Sequence, residues 1–396
     1  MSNSPLSGFK PPLLHEQRFK VEFEYPVVFC RGALAPSEPT LAWSISRREP
    51  ERRHPVYVVL DDGLVAARPN LPAEVEAYVA AHGQQLQLTA APHQLPGGEA
   101  VKNDPALLSD LHERLATARL DKQGCLLIIG GGAVLDAAGY VGSTTHRGVR
   151  IVRMPTTVLA QNDAGVGVKT SVNAFGSKNF LGTFAPPFAV INDVELLGTL
   201  PLRDVRAGLA EAVKVALIRD SAFFAWLEQH AAELRQGATE PLERAVRRCA
   251  ELHLGHIASA GDPFEKGSAR PLDYGHWAAH KLETLTHHEL RHGEAVSIGM
   301  ALDACYAVQK GLLVDADRDR LCDLLKALGL PIYHPALVAE KQGKSALLAG
   351  LQEFREHLGG ALCVTLLTGI GSGIEVHDMD GAAISSSIAW LAAHQG

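Results

Sequence analysis

Cysteine, methionine and tryptophan are scarce in this 396-residue chain, at six, four and four copies, and aromatic residues make up only 6% of it. Cys30, Cys125, Cys249, Cys305, Cys322 and Cys363 are scattered, and no two form a C-x-x-C pair. That excludes a disulfide scaffold and fits free thiols in a reducing cytoplasm. Long apolar runs are missing too: the most apolar stretch, Cys125 to Leu135, has eleven residues and meets Asp136, too short to span a bilayer. The N-terminal MSNSPLSGFKPPLLHEQRFK has no continuous apolar core and does not read as a secretory signal. Net positive charge is also lacking. A formal charge of −7 excludes a general nucleic-acid binder, which needs a basic face, but not a local basic pocket for a small anion.

What is present is ordinary for a globular enzyme, 46% hydrophobic and 20% charged, and the length suggests about two domains. Histidine is the exception: 18 copies, seven of them between His253 and His292. Residues 1–20 read as a polar arm. From Val21 the pattern becomes strand-like (VEFEYPVVF), and Val56–Asp62 (VYVVLDD) reads as a second strand. Pro72–His82 reads as a helix, Gln84–Leu88 as a short strand, and Asn103–Leu120 as an amphipathic helix. A buried strand, three glycines and a helix follow in CLLIIGGGAVLDAAGYVG, then a strand at Val149–Met154. Alternating strands and helices imply a parallel, Rossmann-like α/β sheet over 21–200. Beyond it, Leu202–Arg219, Phe223–Arg235, Pro241–Ala260, Gly275–Leu285, Glu294–Gln309 and Asp315–Ala327 read as helices. The expected architecture is therefore an α/β nucleotide-binding domain followed by an α-helical domain over 201–396.

Gly130, Gly131 and Gly132 stand between strand and helix. A helix N-terminus offers free N–H groups and partial positive charge, and glycines let a pyrophosphate approach the backbone. The pattern G-G-G-x-x-x-D is not the G-x-G-x-x-G fingerprint, so a nucleotide site and a bare tight turn both fit. Asp61 ends one strand and Thr156 and Thr157 follow another, polar groups at the strand ends where open sheets bind ligands.

His276 and His280 are four apart in a helical stretch and share a face, the spacing of two ligands to one divalent ion. His292 opens the next helix. Glu211 sits in an apolar helix three residues before Lys214, where an unneeded charge is costly. Taken singly each is a plain helix residue; together they offer two histidines and a glutamate to one ion, with a position left open. His287 and His288 read as turn residues. Arg147, Lys169, Lys178, Asn179 and Lys214 punctuate a segment rich in Gly, Thr and apolar residues; its glycine-rich part, DAGVGVKTSVNAFGSKNFLGTF, is expected to be a shaped loop that either cradles an oxyanion or is merely solvated.

Assembled, these segments resemble the 3-dehydroquinate synthase superfamily of sugar-phosphate cyclases, from about Val56 to Gly371. The matching stretches are GGGAVLDAAGYVGSTTHRGV, MPTTVLAQNDAGVGVKTSVN, KNFLGTFAPP, TLPLRDVRAGLAEAVK, GHWAAH and HGEAVSIGM. Iron-dependent polyol dehydrogenases share the architecture but not this series. The resemblance implies an NAD-binding α/β domain, a helical domain, a divalent metal such as Zn2+ or Co2+, and a homodimer in the cytoplasm, with neither nucleic acid nor membrane as partner. It implies Glu211, His276 and His292 as metal ligands. Asp61, Glu99, Lys102, Gly130, Gly131, Gly132, Asp136, Thr156, Thr157, Lys178 and Thr199 would line NAD. Asp163, Lys169, Asn179, Lys214 and His280 would contact a phosphorylated sugar, and Arg147 would reach its phosphate from the neighbouring subunit. The implied chemistry is transient oxidation, phosphate elimination, re-reduction and an intramolecular aldol closure to a carbocycle.

The chain also departs from that pattern. Dehydroquinate synthases carry a lysine in K-A-x-V-V and an arginine in G-L-R-x-L-L-N-x-G-H. Here the lysine position falls near Gly255, between His253 and His256, and the arginine position on Ala269, with Arg270 beside it. Asp273 replaces the asparagine, and Arg355-Glu356-His357 stands where the family has a lysine pair. Losing two cations and gaining an acid disfavours a substrate carboxylate. One reading is a carboxylate-free substrate such as sedoheptulose 7-phosphate, as in valiolone-type cyclases; another is a dehydroquinate synthase in which Arg270 and His256 compensate. A metal-dependent polyol dehydrogenase and a non-catalytic NAD- and metal-binding protein are the readings of other classes.

Overall fold

The computed structural model describes residues 15–175, 177–259, 264, 272–287, 289–341, 344–357 and 362–395. Nine strands belong to the first half: β1 (Val27–Cys30), β2 (His54–Asp61), β3 (Leu86–Leu88), β4 (His93–Leu95), β5 (Cys125–Gly130), β6 (Arg150–Pro155), β7 (Lys169–Ala174), β8 (Ser177–Phe184) and β9 (Ala189–Asp193). Its helices are α1 (Thr40–Ser46), α2 (Asp62–Ala67), α3 (Leu71–Ala81), α4 (Pro105–Thr117) and α5 (Gly132–Thr144). Seven strands form one sheet in the order β1-β9-β6-β5-β2-β3, with β4 also on β2. Every pairing in it is parallel. Such a sheet is covered on both faces, which explains the near-continuous apolar runs of β2 and β5. Side chains alternate accordingly: Val56, Val58 and Leu60 enter one core layer and Tyr57 and Val59 the other.

Because the strands are parallel, their carboxyl ends share one edge. Asp61, Gly130, Pro155 and Asp193 all finish there. A turn of 3-10 helix (Val194–Thr199) then leads into α6 (Leu202–Arg219). The remaining helices are α7 (Ser221–Gln229), α8 (Ala231–Arg235), α9 (Thr239–Ser259), α10 (His276–Leu285), α11 (His292–Gln309), α12 (Asp315–Ala327), α13 (Ala346–His357) and α14 (Gly381–Ala393). They enclose the largest core, centred on α6 and α11. Among the described residues no helix is long and apolar enough to cross a membrane, and all six cysteines are free thiols.

Four elements differ from expectation. The strand expected from Val21 begins only at Val27, where β9 first provides a partner (Val27↔Val190), and Val21 and Phe23 stay exposed. The glycine-rich stretch is not a loop: β7 and β8 form an antiparallel hairpin, in which Gly182, opposite Ser171, lets the Thr170 carbonyl come within 2.7 Å of where a Cβ would stand. The single helix expected at Phe223–Arg235 is two, broken at His230, whose backbone (φ −109°, ψ 10°) leaves the helical region. An antiparallel pair, Val364–Gly369 with Ser372–Val376, packs on α6 and α11 in the half expected to be helical. Residues 1–14 of the expected arm, together with His288, Ala269 and Arg270, lie outside the described residues.

Candidate active site

The glycine turn is built around Asp61. Its carboxylate accepts from Gly63 N (2.9 Å) and Leu64 N (3.3 Å), capping α2, and from Gly131 N (3.3 Å) across the sheet edge. Gly97, which the sequence did not single out, completes this cradle: a Cβ there would lie 2.6 Å from Asp61 Oδ1. α5 starts at Gly132, so its first N–H groups open onto the same space. Thr156 is buried and tied to Gly130 O by its own N–H (3.0 Å), whereas the Thr157 hydroxyl accepts from Ala160 N (3.1 Å). The Thr199 hydroxyl donates to Leu196 O (2.7 Å).

Beside the turn, the buried Lys102 ammonium donates to Asp136 (2.8 Å) and Ser171 (3.3 Å), and also to Asn179 Oδ1; Glu99 lies 3.7 Å away. Asn173 donates to Glu99 (3.0 Å) and accepts from Asn179 N (2.8 Å). The hairpin is thus stitched to the nucleotide edge. Lys178 and Asn179 are neighbours on β8, so their side chains diverge. Asn179 turns to Lys102, and Lys178 reaches Glu283 on α10 (3.3 Å). The resemblance put Lys178 with the nucleotide and Asn179 with the substrate; in the protein alone they meet Glu283 and Lys102. Arg147 follows the far end of the 13-residue α5, about 20 Å along the helix from the glycine turn, and is exposed.

Between β6 and β7 the chain makes a π-turn, Ala160–Ala164, of a kind that often marks functional sites. Gln161 donates to Pro155 O (3.0 Å) and Asp193 O (2.8 Å), and Asn162 to Gly208 O on α6 (3.1 Å). These bonds hold Asp163 against the helical half. Gly208 permits the approach, since a Cβ there would lie 2.5 Å from Val158 Cβ. On α6, Glu211 and Lys214 are both buried and 2.6 Å apart. Burial pushes the Glu211 carboxyl up, opposed by Lys214; Asp163 pushes it further and His292 pulls it down. Burial also works against the Lys214 ammonium, but Glu211 and Asp163 outweigh it and raise its pKa.

His276, His280 and His292 converge on this pair. Their ring centres are 5.5 Å apart for His276–His280, 5.4 Å for His276–His292 and 6.2 Å for His280–His292. Burial, then Lys214, His292 and His280, hold the His276 pKa well below the ordinary value, so the ring is neutral, the form that binds metals. Its Nδ1 donates to Tyr274 O (3.1 Å), leaving Nε2 for the cleft. His292 Nδ1 stands 3.3 Å from Glu283 Oε1. Burial alone would raise the Glu283 carboxyl, but His292 and Lys178 outweigh it and hold it down at about 2. A carbonyl or carboxylate behind each imidazole is the usual support of a metal-binding histidine.

A tetrahedral ion holding two imidazole nitrogens at about 2.1 Å sets the ring centres about 5 Å apart, close to the His276–His292 spacing. Glu211 Oε1 is buried 2.6 Å from the Lys214 ammonium, so a cation bound here would share this carboxylate with Lys214. The donors fit a divalent metal in type and ring spacing, although among the described residues no three such groups already close around one point. Glu283 escaped the sequence reading because an acid in a polar helix looks like a solvated one; its distance of nine residues from His292 gave no helical-face signal. His253, noted before only as a departure, lies in the site, its Nδ1 3.2 Å from Asp163 Oδ1. His256 Nδ1 takes a hydrogen bond from Arg219 (3.0 Å). Arg355 lines a separate groove of about 370 Å³ with His377, Asp378 and Met379.

Comparison with known proteins agrees with this layout. The family model described as 3-dehydroquinate synthase N-terminal matches residues 92–207, and the one described as 3-dehydroquinate synthase C-terminal matches 208–348. A curated relative from Halorhodospira halophila, a 3-dehydroquinate synthase, is 35% identical over 349 residues, covering 85% of this chain and 96% of its own. The 2-epi-5-epi-valiolone synthase of Streptomyces hygroscopicus, solved with NAD+ and Zn2+ bound, is 29% identical, with a TM-score of 0.84 over 96% of this chain and 100% of the other. A 2-deoxy-scyllo-inosose synthase solved with carbaglucose-6-phosphate, NAD+ and Co2+ shares the fold at 22% identity, with a TM-score of 0.73 over 91% of this chain and 95% of the other.

Proposed function

The chain belongs to the 3-dehydroquinate synthase family, and from that premise we propose that it is a sugar-phosphate cyclase whose substrate carries no carboxylate, such as sedoheptulose 7-phosphate. It is a carbon–oxygen lyase acting on phosphates, and it uses NAD and a divalent metal, Zn2+ or Co2+. When bound, NAD supplies reversible oxidation of a carbinol, and the metal supplies a Lewis acid.

The chain's own residues do the rest. Glu211, His276 and His292 would hold the metal, and the turn Gly130–Gly132 with Asp61, Thr156 and the Lys102–Asp136 pair would line the nucleotide. Lys214 and Asp163 orient substrate hydroxyls at the junction of the two halves, with Lys169 and His280 at its rim. Burial strengthens these charge-assisted contacts and excludes water from the reacting carbons. A homodimer in the cytoplasm, with Arg147 binding the phosphate of the neighbouring subunit's substrate, completes the reading. The exposed position of Arg147, about 20 Å along α5 from its own glycine turn, supports that assignment.

One observation carries the choice of substrate. Dehydroquinate synthases present a lysine near this point of α9, but Gly255 is exposed on the outer side of the helix, and the residue turned inward beside it is His253. The side chain that α9 brings to Asp163 is the buried imidazole of His253, whose pKa burial lowers. A neutral imidazole offers a substrate carboxylate no positive charge, and Asp163 beside it repels one. The second reading, dehydroquinate synthase itself, draws on the 35% identity spanning 96% of the Halorhodospira relative.

Purified enzyme with NAD and Zn2+ or Co2+ should release phosphate from sedoheptulose 7-phosphate without accumulating NADH. Release only from the carboxylate-bearing precursor of dehydroquinate would establish the second reading. Net NADH from a polyol without phosphate release would make the protein a dehydrogenase.

A further inference from the structure

α9 turns Cys249, His253 and His256, at i, i+4 and i+7, inward, all three buried. Cys249 feels the charges of Glu211 and Asp163, and His253 those of Asp163, Lys214 and Lys169, so this face of the helix forms a wall of the substrate cleft. His256 is already engaged by Arg219. His253 is not: its Nδ1 lies 3.2 Å from Asp163 Oδ1 but off the line of a hydrogen bond, and it has no hydrogen-bond partner among the described residues. A buried polar atom left in that state is unfavourable unless a ligand completes it. The Asp163 side chain is 30% exposed and that of His253 10%, so a small ligand can reach the pair.

The chemistry of that opening selects its ligand. A carboxylate accepts and cannot donate; a neutral imidazole N–H donates. A hydroxyl both donates and accepts, so one hydroxyl oxygen satisfies both at once. A substrate carboxylate has only acceptors, and it would meet Asp163 with like charge. We propose that His253 is a specificity-determining residue: with Asp163 it receives one hydroxyl of a carboxylate-free sugar phosphate, in the place where dehydroquinate synthases present a lysine. This rests on the cyclase reading above and adds to it the residue that chooses between its two substrates. A polar pair built for a hydroxyl rejects analogues that leave it unpaired more strongly than an apolar pocket can.

The test measures kcat and KM of the metal- and NAD-loaded enzyme for sedoheptulose 7-phosphate and for the carboxylate-bearing precursor of dehydroquinate. His253→Leu should lower kcat/KM for the first by about 10–100-fold, the range for leaving a buried polar partner unsatisfied, mainly through KM. His253→Asn, whose amide nitrogen takes the place of Nδ1, should recover most of that loss. A merely structural histidine would not separate these two variants. His253→Lys places a cation beside Asp163 and should shift the ratio of the two kcat/KM values at least tenfold toward the carboxylate substrate. His253→Leu within twofold of the wild type, His253→Asn as impaired as His253→Leu, or an unchanged ratio in His253→Lys would each overturn the proposal. Wild-type preference for the carboxylate substrate would instead overturn the substrate reading beneath it.

Discussion

Glu211, Lys214, His276 and His292 come from three helices, and each is ordinary where it stands in the sequence. Their meaning lies in convergence: two imidazole rings 5.4 Å apart, backed by Tyr274 O and Glu283, face a buried carboxylate that is paired with Lys214. His276→Ala should therefore lose bound metal and phosphate release together, measured by metal analysis and turnover on one sample. Full metal occupancy in that variant would remove His276 from the ligand set. These residues were legible because their types announce metal chemistry and the i, i+4 pair fixes a face. Glu283 and His253 were not, since their roles depend on what another helix brings opposite them.

A second buried acid makes a prediction about pH. Burial pushes the Asp303 carboxyl up to about 7, against hydrogen bonds from Trp277 Nε1 (2.8 Å) and Gly275 N (3.1 Å). The folded state then holds a proton that the unfolded chain, with its ordinary carboxyl value, releases earlier. The stability from this group is complete at acid pH and is lost as pH rises through the interval up to about 7. Asp303→Asn should remove that slope, although it disturbs one of the two hydrogen bonds and lowers stability throughout. Urea unfolding between pH 5 and pH 8 compares the slopes, and parallel curves would contradict the assignment.

At the scale of elements, glycines bring the ligand-bearing helices together. A Cβ on Gly293 would lie 1.8 Å from Ala207 O on α6, and one on Gly299 would lie 2.0 Å from Gly275 O, which caps α10. Neither neighbour can yield, because both are backbone. Gly299→Ala should cost about 1–3 kcal/mol by overpacking, seen as a lower urea midpoint, and should weaken metal binding by separating α10 from α11. Unchanged stability would show that this crossing relaxes freely. The buried strands β2 and β5 and the long helices α6, α9 and α11 could be read from periodicity. The β7–β8 hairpin could not, because its glycines resemble loop residues until the partner strand shows why Gly182 must lack a side chain. The break at His230 carries no proline or glycine to announce it.

At the scale of the molecule, a parallel sheet delivers its strand ends to one edge, and α6 leaves that edge carrying Glu211 and Lys214. Nucleotide turn and metal donors therefore meet at the junction of the two halves, a place for small ligands in open α/β proteins. This layout leaves Arg147 outside its own site. If a partner supplies it, Arg147→Ala and Lys214→Ala, each inactive alone, should complement when mixed. Equal mixing with free exchange makes half the dimers mixed, each with one intact site, for about a quarter of wild-type activity. No recovery after exchange would place Arg147 elsewhere.

The central claim is that this chain performs its family's cyclisation on a substrate without a carboxylate. The direct measurement is competition: sedoheptulose 7-phosphate and the carboxylate-bearing precursor of dehydroquinate, at equal concentration, with the NAD- and metal-loaded enzyme, and the carbocyclic products identified and counted. A neutral carbocycle formed in large excess is the predicted result; dehydroquinate as the main product would contradict the account.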